Sequence, residues 1–350
     1  MKKVKKLNVF FFGNIPVKEV PASYGGATVL AEEMLDFIRE NDQIEVKHSP
    51  IRFSWKPKHH ILDHILWVFK FPFAIRNQDI VSFHTTWDFN FTTAPLVWLW
   101  AKILGKRTIY HFFGGNFHFH YQKIPNFLKF IYDKTLLSSD IVFFETKELI
   151  DYFESKGIVK GEWLPNARKP VLKENSEREF RKRFVFISRV IPDKGINEII
   201  AAAEKLNSNY TIDIYGPIDE RFSSESSFEG KKANYKGLLQ PQEVLEVLNQ
   251  YDVLLLPTWF GGEGYPGIII EALSLGIPSI TTQWISIPEI IQDEYNGKLI
   301  EIKNSEELYQ AILSFDESNY KVFCKNALDS FEQFNSDQVF MKIINAYLNE

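Results

Sequence analysis

Short runs of β-branched and aromatic residues alternate with longer stretches of helical periodicity, and this alternation most limits the folds open to the chain. Such runs are typical of buried strands, and the stretches between them are long enough to cross back over a sheet. A parallel sheet needs these crossovers, so the pattern predicts an α/β protein. The predicted strands are Leu7–Phe12, Ile44–His48, Ile80–Phe83, Arg107–Phe112, Ile141–Phe144, Arg183–Ile187, Tyr210–Tyr215, Ala233–Tyr235, Val253–Pro257 and Ser279–Thr282. The predicted helices include Ala27–Arg39, Asn126–Ser138, Ile196–Leu206, Gln242–Gln250, Pro266–Leu275 and Ser305–Phe315.

The alternation occurs in both halves of the chain, and the halves differ in charge. Residues 1–170 contain 23 Lys and Arg against 17 Asp and Glu, a net charge of +6, whereas residues 171–350 have a net charge of −11. The polar stretch Lys169–Lys182 is the best candidate for a linker. We therefore predict an N-terminal domain at 1–170, a C-terminal domain at 171–332, and a last helix at 333–350 that packs back on the N-terminal domain.

Composition gives no sign of an oxidising compartment or a membrane-spanning segment. Cys324 is the single cysteine and cannot form an internal disulfide. The apolar run Ile65–Ile75 is interrupted by Lys70 and Pro72 and is shorter than the roughly 18 residues that a spanning helix needs. The lysines at positions 2–6 imitate the start of a signal peptide, but the apolar run after them is too short, which favours a first β-strand. The sequence predicts a cytoplasmic protein.

Two strand-to-helix turns carry residues suited to phosphate. Gly25 and Gly26 open the helix after the first strand, where glycines let backbone N–H groups approach an anion; a plain turn is the alternative. Arg189 and Lys194 lie five residues apart, before the helix that starts near Ile196. Two cations beside a helix N-terminus suit a diphosphate, and an exposed loop with surface charges is the alternative.

The most specific pattern is Gly261–Leu273, which follows the predicted buried strand Val253–Pro257. Pro266 suits the first position of a helix, which places Glu263 in the preceding loop and Glu271 roughly 7.5 Å along the helix axis. Two carboxylates at this spacing suit the hydroxyl groups at the two ends of a sugar–diphosphate–ribose ligand. Glu271 is flanked by apolar residues, and a buried carboxylate is costly unless it has a partner.

Together these motifs resemble the retaining glycosyltransferases of family 4, whose GT-B fold consists of two Rossmann-like parallel-sheet domains facing a central cleft. The resemblance covers nearly the whole chain and rests on the order and spacing of the motifs. The motifs that carry it are Gly25-Gly26, Leu164-Pro165-Asn166, Arg189 with Lys194-Gly195, the Glu-x7-Glu pair Glu263 and Glu271, Gly276-Ile277-Pro278, and Glu289.

The resemblance implies a role for each matched residue. Arg189 and Lys194 would hold the diphosphate of a nucleotide-sugar donor, Glu271 would bind the ribose and Glu263 would bind the transferred sugar. The remaining donor contacts would be Gly25, Gly26, Leu239 against the base, Gly264, Tyr265, Pro266, Gly267 and Ile268. No metal or other cofactor is expected, because two cations and a helix N-terminus neutralise a leaving diphosphate.

The chain departs from the family pattern where relatives have His-Gly-Gly. Phe113 precedes Gly114-Gly115 here, and His111, two residues earlier, is expected on the same face of its strand. His84 ends an earlier strand and is expected to face the same cleft. We treat both histidines, together with Glu263, Arg189 and Lys194, as candidate catalytic residues.

The resemblance implies a transferase that moves a UDP- or GDP-linked sugar to a glycan or lipid-linked acceptor in surface polysaccharide biosynthesis. A nucleotide-sugar epimerase of the same fold and a catalytically silent nucleotide-sugar-binding protein are the alternatives. The basic N-terminal half also suggests peripheral contact with an anionic membrane at the inner face of the plasma membrane, and a solvated basic face is the alternative. Nucleic acid is not expected because the C-terminal half is acidic. The candidate membrane residues, each with core packing as its alternative, are Trp55, Trp67, Trp98 and Trp100.

Overall fold

The computed structural model describes residues 6–18, 20, 23, 25–52, 60–86, 90, 93–171, 178–219 and 224–349. The strands are β1 (Leu7–Gly13), β2 (Ile44–Ser49), β3 (Ile80–Thr85), β4 (Arg107–Phe112), β5 (Ile141–Phe144), β6 (Glu162–Trp163), β7 (Arg183–Ile187), β8 (Thr211–Tyr215), β9 (Ala233–Tyr235), β10 (Val253–Leu256), β11 (Ser279–Thr282) and β12 (Gly297–Ile300). The helices are α1 (Gly26–Arg39), α2 (His60–Ile75), α3 (Ala94–Ile103), α4 (Phe117–Lys123), α5 (Asn126–Asp133), α6 (Lys147–Ser155), α7 (Ile196–Lys205), α8 (Val244–Leu248), α9 (Gly267–Ser274), α10 (Ser305–Leu313), α11 (Glu317–Phe331) and α12 (Ser336–Leu348).

The chain divides into two compact units, each with its own sheet. The first unit comprises residues 1–167 and 336–350, and the second comprises residues 168–335. Within the predicted linker Lys169–Lys182, residues 172–177 lie outside the described part of the chain. The strand order is β2-β1-β3-β4-β5-β6 in the first sheet and β12-β11-β10-β7-β8-β9 in the second, and the strand pairs of both sheets are parallel. The predicted α/β fold with two parallel sheets is confirmed.

Both faces of the first sheet are covered by helices. Phe10 and Phe12 of β1 point to one face, where the Phe12 ring centroid lies 5.2 Å from that of Phe71 on α2. Val9 and Phe11 point to the opposite face, in the core that α1 and α12 cover. A strand buried on both faces is apolar at nearly every position, which explains the continuous Val-Phe-Phe-Phe run of β1.

The last helix belongs to the first unit. Phe340 of α12 packs against Phe37 of α1, with ring centroids 5.6 Å apart. Arg107 at the start of β4 donates a hydrogen bond to the carbonyl oxygen of Tyr347, at 3.2 Å. Residues more than 300 positions apart in the sequence therefore share one core, on the α1 side of the first sheet.

The second sheet has the strand order of a doubly wound nucleotide-binding fold. From β7 the chain first adds β8 and β9 on one side, and then returns to add β10, β11 and β12 on the other. The order therefore reverses between β7 and β10, whose carboxyl ends lie side by side. In open α/β sheets, ligands bind in the crevice at such a reversal.

The apolar run Ile65–Ile75 forms most of helix α2, which continues through Pro72. Proline removes one backbone donor close to the helix end, and the buried Phe71 and Ile75 anchor that end in the core. Among the described residues, no helix combines the length and apolarity needed to span a bilayer.

Two of the tryptophans considered as membrane residues lie in the core of the first unit. Trp67 donates a hydrogen bond to the carbonyl oxygen of Ile51 at 3.1 Å, and Trp98 donates to Ser139 Oγ at 2.9 Å. Trp100 is half-buried and packs against the same core, while Trp55 lies outside the described residues. Core packing is therefore the correct alternative for Trp67 and Trp98.

Candidate functional site

The loops that follow β7 and β10 pack against each other at the reversal of strand order. The Trp259 amide donates to the carbonyl oxygen of Asp193 at 2.8 Å. Gly195 has φ +81°, and a Cβ at this position would lie 2.2 Å from the carbonyl oxygen of Pro257. Only glycine fits this close approach, so Gly195 fixes the loop of the two predicted cations against the loop of Glu263.

Lys194 and Glu263 form a buried ion pair between these loops. The Lys194 ammonium donates to Glu263 Oε1, and only 9% of each side chain is exposed. Thr258 Oγ1 donates to the same carboxylate oxygen at 2.9 Å. A charge removed from water is stable only with a close partner and hydrogen bonds, and this arrangement supplies both.

Phe260 links the second predicted cation to this pair. The Lys194 Nζ lies 5.0 Å from the centroid of the Phe260 ring, and the guanidinium carbon of exposed Arg189 lies 4.9 Å from it. Cations at this distance are attracted by the aromatic ring. The structure therefore brings Arg189, Lys194 and Glu263 together through Phe260, a residue that sequence reasoning missed, and their role at a donor stays a prediction. We call Arg189, Lys194, Thr258, Phe260 and Glu263 the switch-point cluster.

Helix α9 begins at Gly267, and Pro266 is its N-cap rather than its first residue. The loop before it is held by side chains: Ser286 Oγ donates to the carbonyl oxygen of Gly264 at 3.0 Å, and the buried Tyr265 hydroxyl donates to Glu289. The first N–H groups of any helix have no acceptor within the helix. Gly267 and the half-buried Ile268 thus lie at a helix end that favours negative charge.

Glu271 has a partner that the sequence did not predict. Arg168 Nε donates to Glu271 Oε1 at 2.7 Å, and both side chains are largely buried. A Cβ at Gly267 would lie 1.9 Å from Arg168 Nη2, so glycine allows the guanidinium to lie over the first turn of α9. The two residues are 103 positions apart, and the only sequence signal was that a carboxylate among apolar residues needs a partner.

The other predicted donor contacts belong to other segments of the chain. Leu239 is half-buried in the segment after β9. Gly25 and Gly26 are exposed at the start of α1 in the first unit, and the Gly25 amide donates to Thr28 Oγ1 at 3.0 Å. A Cβ at either glycine would meet nothing within 4 Å, so packing within the first unit does not require glycine there.

His84 and His111 contact each other inside the first sheet. They are paired in the β3–β4 register, their Nδ1 atoms are 3.3 Å apart, and their side chains are 1% and 0% exposed. The His84 ring also stacks on Phe11, with centroids 4.0 Å apart. Burial lowers the pKa of His84 well below its usual value and lowers the pKa of His111 to about 3. Both rings are therefore neutral and inaccessible within this unit, and their catalytic role stays a prediction that this environment does not favour.

Across the described ranges, no three side chains of His, Cys, Asp or Glu are grouped as metal ligands. The positive charge near the switch-point cluster comes from side chains and from the start of α9. These groups are suited to bind an anion.

Comparison with known proteins agrees with this geometry. Residues 168–328 match the family model of glycosyl transferases group 1. This match covers nearly the whole of the second unit. The relatives include the N,N'-diacetylbacillosaminyl-diphospho-undecaprenol alpha-1,3-N-acetylgalactosaminyltransferase of Campylobacter jejuni, 23% identical over 53% of this chain and 49% of its own length. The amylovoran biosynthesis glycosyltransferase AmsK of Erwinia amylovora is 26% identical over 33% of this chain and 31% of its own length. The chain thus spans between about a third and a half of these two relatives.

Solved structures match over nearly the whole chain. Anabaena HepE in complex with UDP has a TM-score of 0.74 at 15% identity and covers 98% of this chain and 100% of its own. A sucrose-phosphate synthase from Thermosynechococcus elongatus has a TM-score of 0.69 at 14% identity, with 98% of this chain and 99% of its own covered. The fold is GT-B.

The buried histidine pair predicts a specific dependence of stability on pH. Because the folded-state pKa values of His84 and His111 are lowered, the unfolded chain binds protons below pH 6.5 that the folded chain does not bind. The free energy of unfolding should therefore fall with pH below 6.5, and for His111 down to about pH 3, by about 1.4 kcal/mol per pH unit for each histidine. Urea unfolding between pH 7.5 and 5.0 measures this loss. His111→Phe should show a shallower loss than the wild type, and an equally steep loss would contradict the assignment.

Proposed function

We propose that the protein is a retaining glycosyltransferase that moves a sugar from a UDP- or GDP-linked donor to a glycan or lipid-linked acceptor. It would act in surface polysaccharide biosynthesis, in the cytoplasm at a membrane surface. The switch-point cluster carries this proposal, since a buried Lys–Glu pair and an exposed arginine lie where open α/β sheets bind ligands. Three similar proteins support the proposal. The Campylobacter jejuni relative is named for a sugar transfer that involves a diphospho-undecaprenol-linked saccharide, and AmsK is named for amylovoran biosynthesis. The structural neighbour HepE was solved in complex with UDP.

In this proposal the donor diphosphate binds to Arg189, Lys194 and the start of α9. The Lys194 ammonium has three N–H groups, so it can donate to Glu263 and to a phosphate oxygen at the same time. Arg189 presents an exposed guanidinium beside it, and this group can donate two parallel hydrogen bonds to a phosphate. The dipole of α9 adds to the same positive field.

Two carboxylates would hold the two ends of the donor. Glu263 would accept hydrogen bonds from the transferred sugar, while Lys194 and Thr258 fix its orientation. Glu271 would accept from the ribose hydroxyls, and Arg168 is a positioning residue that holds its carboxylate. The remaining contacts are assigned as before: Leu239 to the base, the backbone of Gly264, Tyr265, Pro266, Gly267 and Ile268 to the sugar and phosphates, and Gly25 and Gly26 to the phosphates.

Retention of configuration, which the Glu-x7-Glu resemblance implies, requires the acceptor to attack the face from which the diphosphate leaves. The bond between the sugar C1 and the phosphate oxygen breaks, and a bond from C1 to the acceptor oxygen forms. The acceptor proton passes to the leaving diphosphate, whose charge Arg189 and Lys194 stabilise. This route needs neither His84 nor His111 as a proton carrier, which agrees with their neutral, buried rings.

Donor turnover separates this proposal from its alternatives. UDP- and GDP-sugars are incubated with the full chain, with and without diphosphate-linked polyprenyl saccharides, and the released nucleoside diphosphate and the sugar products are measured. A transferase releases the nucleoside diphosphate together with an extended acceptor. An epimerase changes the sugar without an acceptor, and a silent binding protein changes nothing; either result would replace the proposal.

Glu263→Gln and Glu271→Gln should affect different kinetic constants. Glu271 binds a part of the donor that does not react, so its change should raise the donor KM about 10-fold with little change in kcat. Glu263 contacts the sugar where charge develops, so its change should lower kcat by about 10²–10³-fold. Exposed Glu246→Gln in the same unit is the matched control and should leave both constants unchanged.

The melting temperature of Glu263→Gln should also fall, because the change leaves the Lys194 charge buried without its ion-pair partner. Kinetics are therefore measured well below that temperature. If Glu271→Gln abolished turnover at saturating donor while Glu263→Gln stayed near normal, the two carboxylates would be assigned the wrong way round.

Arg168→Met should reproduce the kinetics of Glu271→Gln, since Arg168 is expected to act only through that carboxylate. The donor KM should rise about 10-fold with kcat unchanged, and Arg168→Lys, which keeps the charge, should recover part of the loss. A purely structural role would instead lower the melting temperature of both variants and leave KM unchanged in the protein that remains folded.

Donor binding should survive removal of divalent metal ions, because Arg189 and Lys194 already supply positive charge to the diphosphate. Calorimetric titration of UDP and GDP is run on EDTA-treated protein and repeated with added Mg²⁺. Dissociation constants that agree within about threefold support the site. A strict requirement for Mg²⁺ or Mn²⁺ would count against it.

A further inference from the structure

Helix α2 of the first unit is apolar on its outer side as well as on its inner side. Its inner side contributes Trp67, Phe71 and Ile75 to the core. Its outer side is exposed along a single stripe, and Phe69 and Phe73 are 70% and 82% exposed. The exposed apolar residues of this stripe are Leu62, Ile65, Leu66, Phe69 and Phe73. Their spacing of three and four residues places them on one side of the helix.

Two neighbouring helices extend this exposed surface. Helix α3 packs against α2, and the 3-10 turn Leu136–Ser138 packs against both α3 and α5. All of these elements cover the same face of the first sheet, so their outer sides point away from it together. The exposed apolar residues that they add are Leu96, Leu99 and Ile103 on α3, and Phe127, Phe130 and Ile131 on α5. We call these six residues and the α2 stripe the outer apolar face.

An exposed apolar surface of this kind is expected to bind a partner. Single exposed apolar side chains are ordinary, but a continuous patch on adjacent helices is typical of a binding surface. The outer apolar face consists of phenylalanine, leucine and isoleucine, and all eleven side chains lie on three helices that cover one face of the first sheet. This composition suits contact with an extended, flexible apolar partner rather than the binding of a small ligand.

Positive charge surrounds the outer apolar face. Lys70 is exposed on α2, Arg76 follows that helix, and Lys123 and Lys134 are exposed on either side of α5. The acidic residues of the three helices are Asp63, which is buried, and Asp133, which accepts a hydrogen bond from the Tyr121 hydroxyl at 2.7 Å. The rim therefore presents ammonium and guanidinium groups beside the apolar side chains.

We propose that the outer apolar face docks on an anionic lipid bilayer. Its phenylalanine and leucine side chains enter the region between headgroups and acyl chains, and the rim lysines contact lipid phosphates. A second copy of the chain fits less well, because a two-fold dimer places the same patch on both sides and brings the two positive rims together. This inference rests on the part of the proposed function that has the protein act at a membrane surface, and it names the surface of the first unit that docks there; it does not depend on the transfer reaction.

Co-sedimentation of the full chain with vesicles at low salt tests the proposal. Vesicles of phosphatidylcholine alone are compared with vesicles that contain phosphatidylglycerol, and we expect at least 10-fold stronger partitioning onto the anionic vesicles. Phe69→Ser/Phe73→Ser should weaken this partitioning at least 10-fold. Lys70→Gln/Lys123→Gln should weaken it on anionic vesicles only, about 5-fold for each lysine. Leu313→Ser/Val322→Ser, at exposed apolar residues of the second unit, is the control and should bind as the wild type does.

Melting temperatures close to that of the wild type establish that the variants are folded, and Leu99→Ser/Ile103→Ser on α3 is a second variant of the same face. Equal binding of the wild type to neutral and anionic vesicles would overturn the proposal, as would wild-type binding by both face variants. A dimer in light scattering without vesicles, which Phe69→Ser/Phe73→Ser dissolves, would assign the face to self-association instead. Nucleoside diphosphate binding measured without vesicles reports on the proposed activity separately.

Discussion

A lysine and a glutamate meet, almost out of reach of water, where the strand order of the second sheet reverses. The Lys194–Glu263 pair is costly to bury, and breaking such a pair by removing one partner typically costs about 3–5 kcal/mol. Thr258 donates to the carboxylate, and Phe260 lies against both the Lys194 ammonium and the Arg189 guanidinium. The pair therefore fixes the loop after β7 to the loop after β10.

The free-energy cost of burying the Lys194–Glu263 pair is explained if the pair is preorganised to bind an anion. The second half of the chain has an excess of acidic residues, so a diphosphate approaches it against a general repulsion that only local cations overcome. Lys194 is held in place before any ligand arrives, and Arg189 is exposed beside it. A preorganised cation loses little freedom when it binds, which is the property that stabilises charge on a leaving group. The Arg168–Glu271 pair repeats this arrangement at the first turn of α9.

Local patterns in the sequence predicted most strands, because β-branched and aromatic runs determine which segments are buried in a parallel sheet. They did not predict β6, which has two residues, or β12, whose Gly-Lys-Leu-Ile sequence breaks the apolar pattern. The family resemblance placed Arg189, Lys194 and Glu263 at one donor, whereas the adjacency of β7 and β10 that brings them together is a property of the folded sheet. Arg168 could not be predicted, because its contact with Glu271 depends on the tertiary fold rather than on neighbouring residues. The burial of His84 and His111 likewise depends on the helices that cover the sheet.

Thermal unfolding with nucleoside diphosphates tests the central claim, that Lys194 and its partners form a diphosphate site. A ligand that binds only the folded chain raises its melting temperature, by an amount that grows with ligand concentration. UDP or GDP should raise the melting temperature of the wild type but leave that of Lys194→Gln unchanged. The control variant Lys205→Gln changes an exposed lysine of the same unit and should respond as the wild type does. An equal rise in Lys194→Gln, or no rise in the wild type with either nucleotide, would contradict the account.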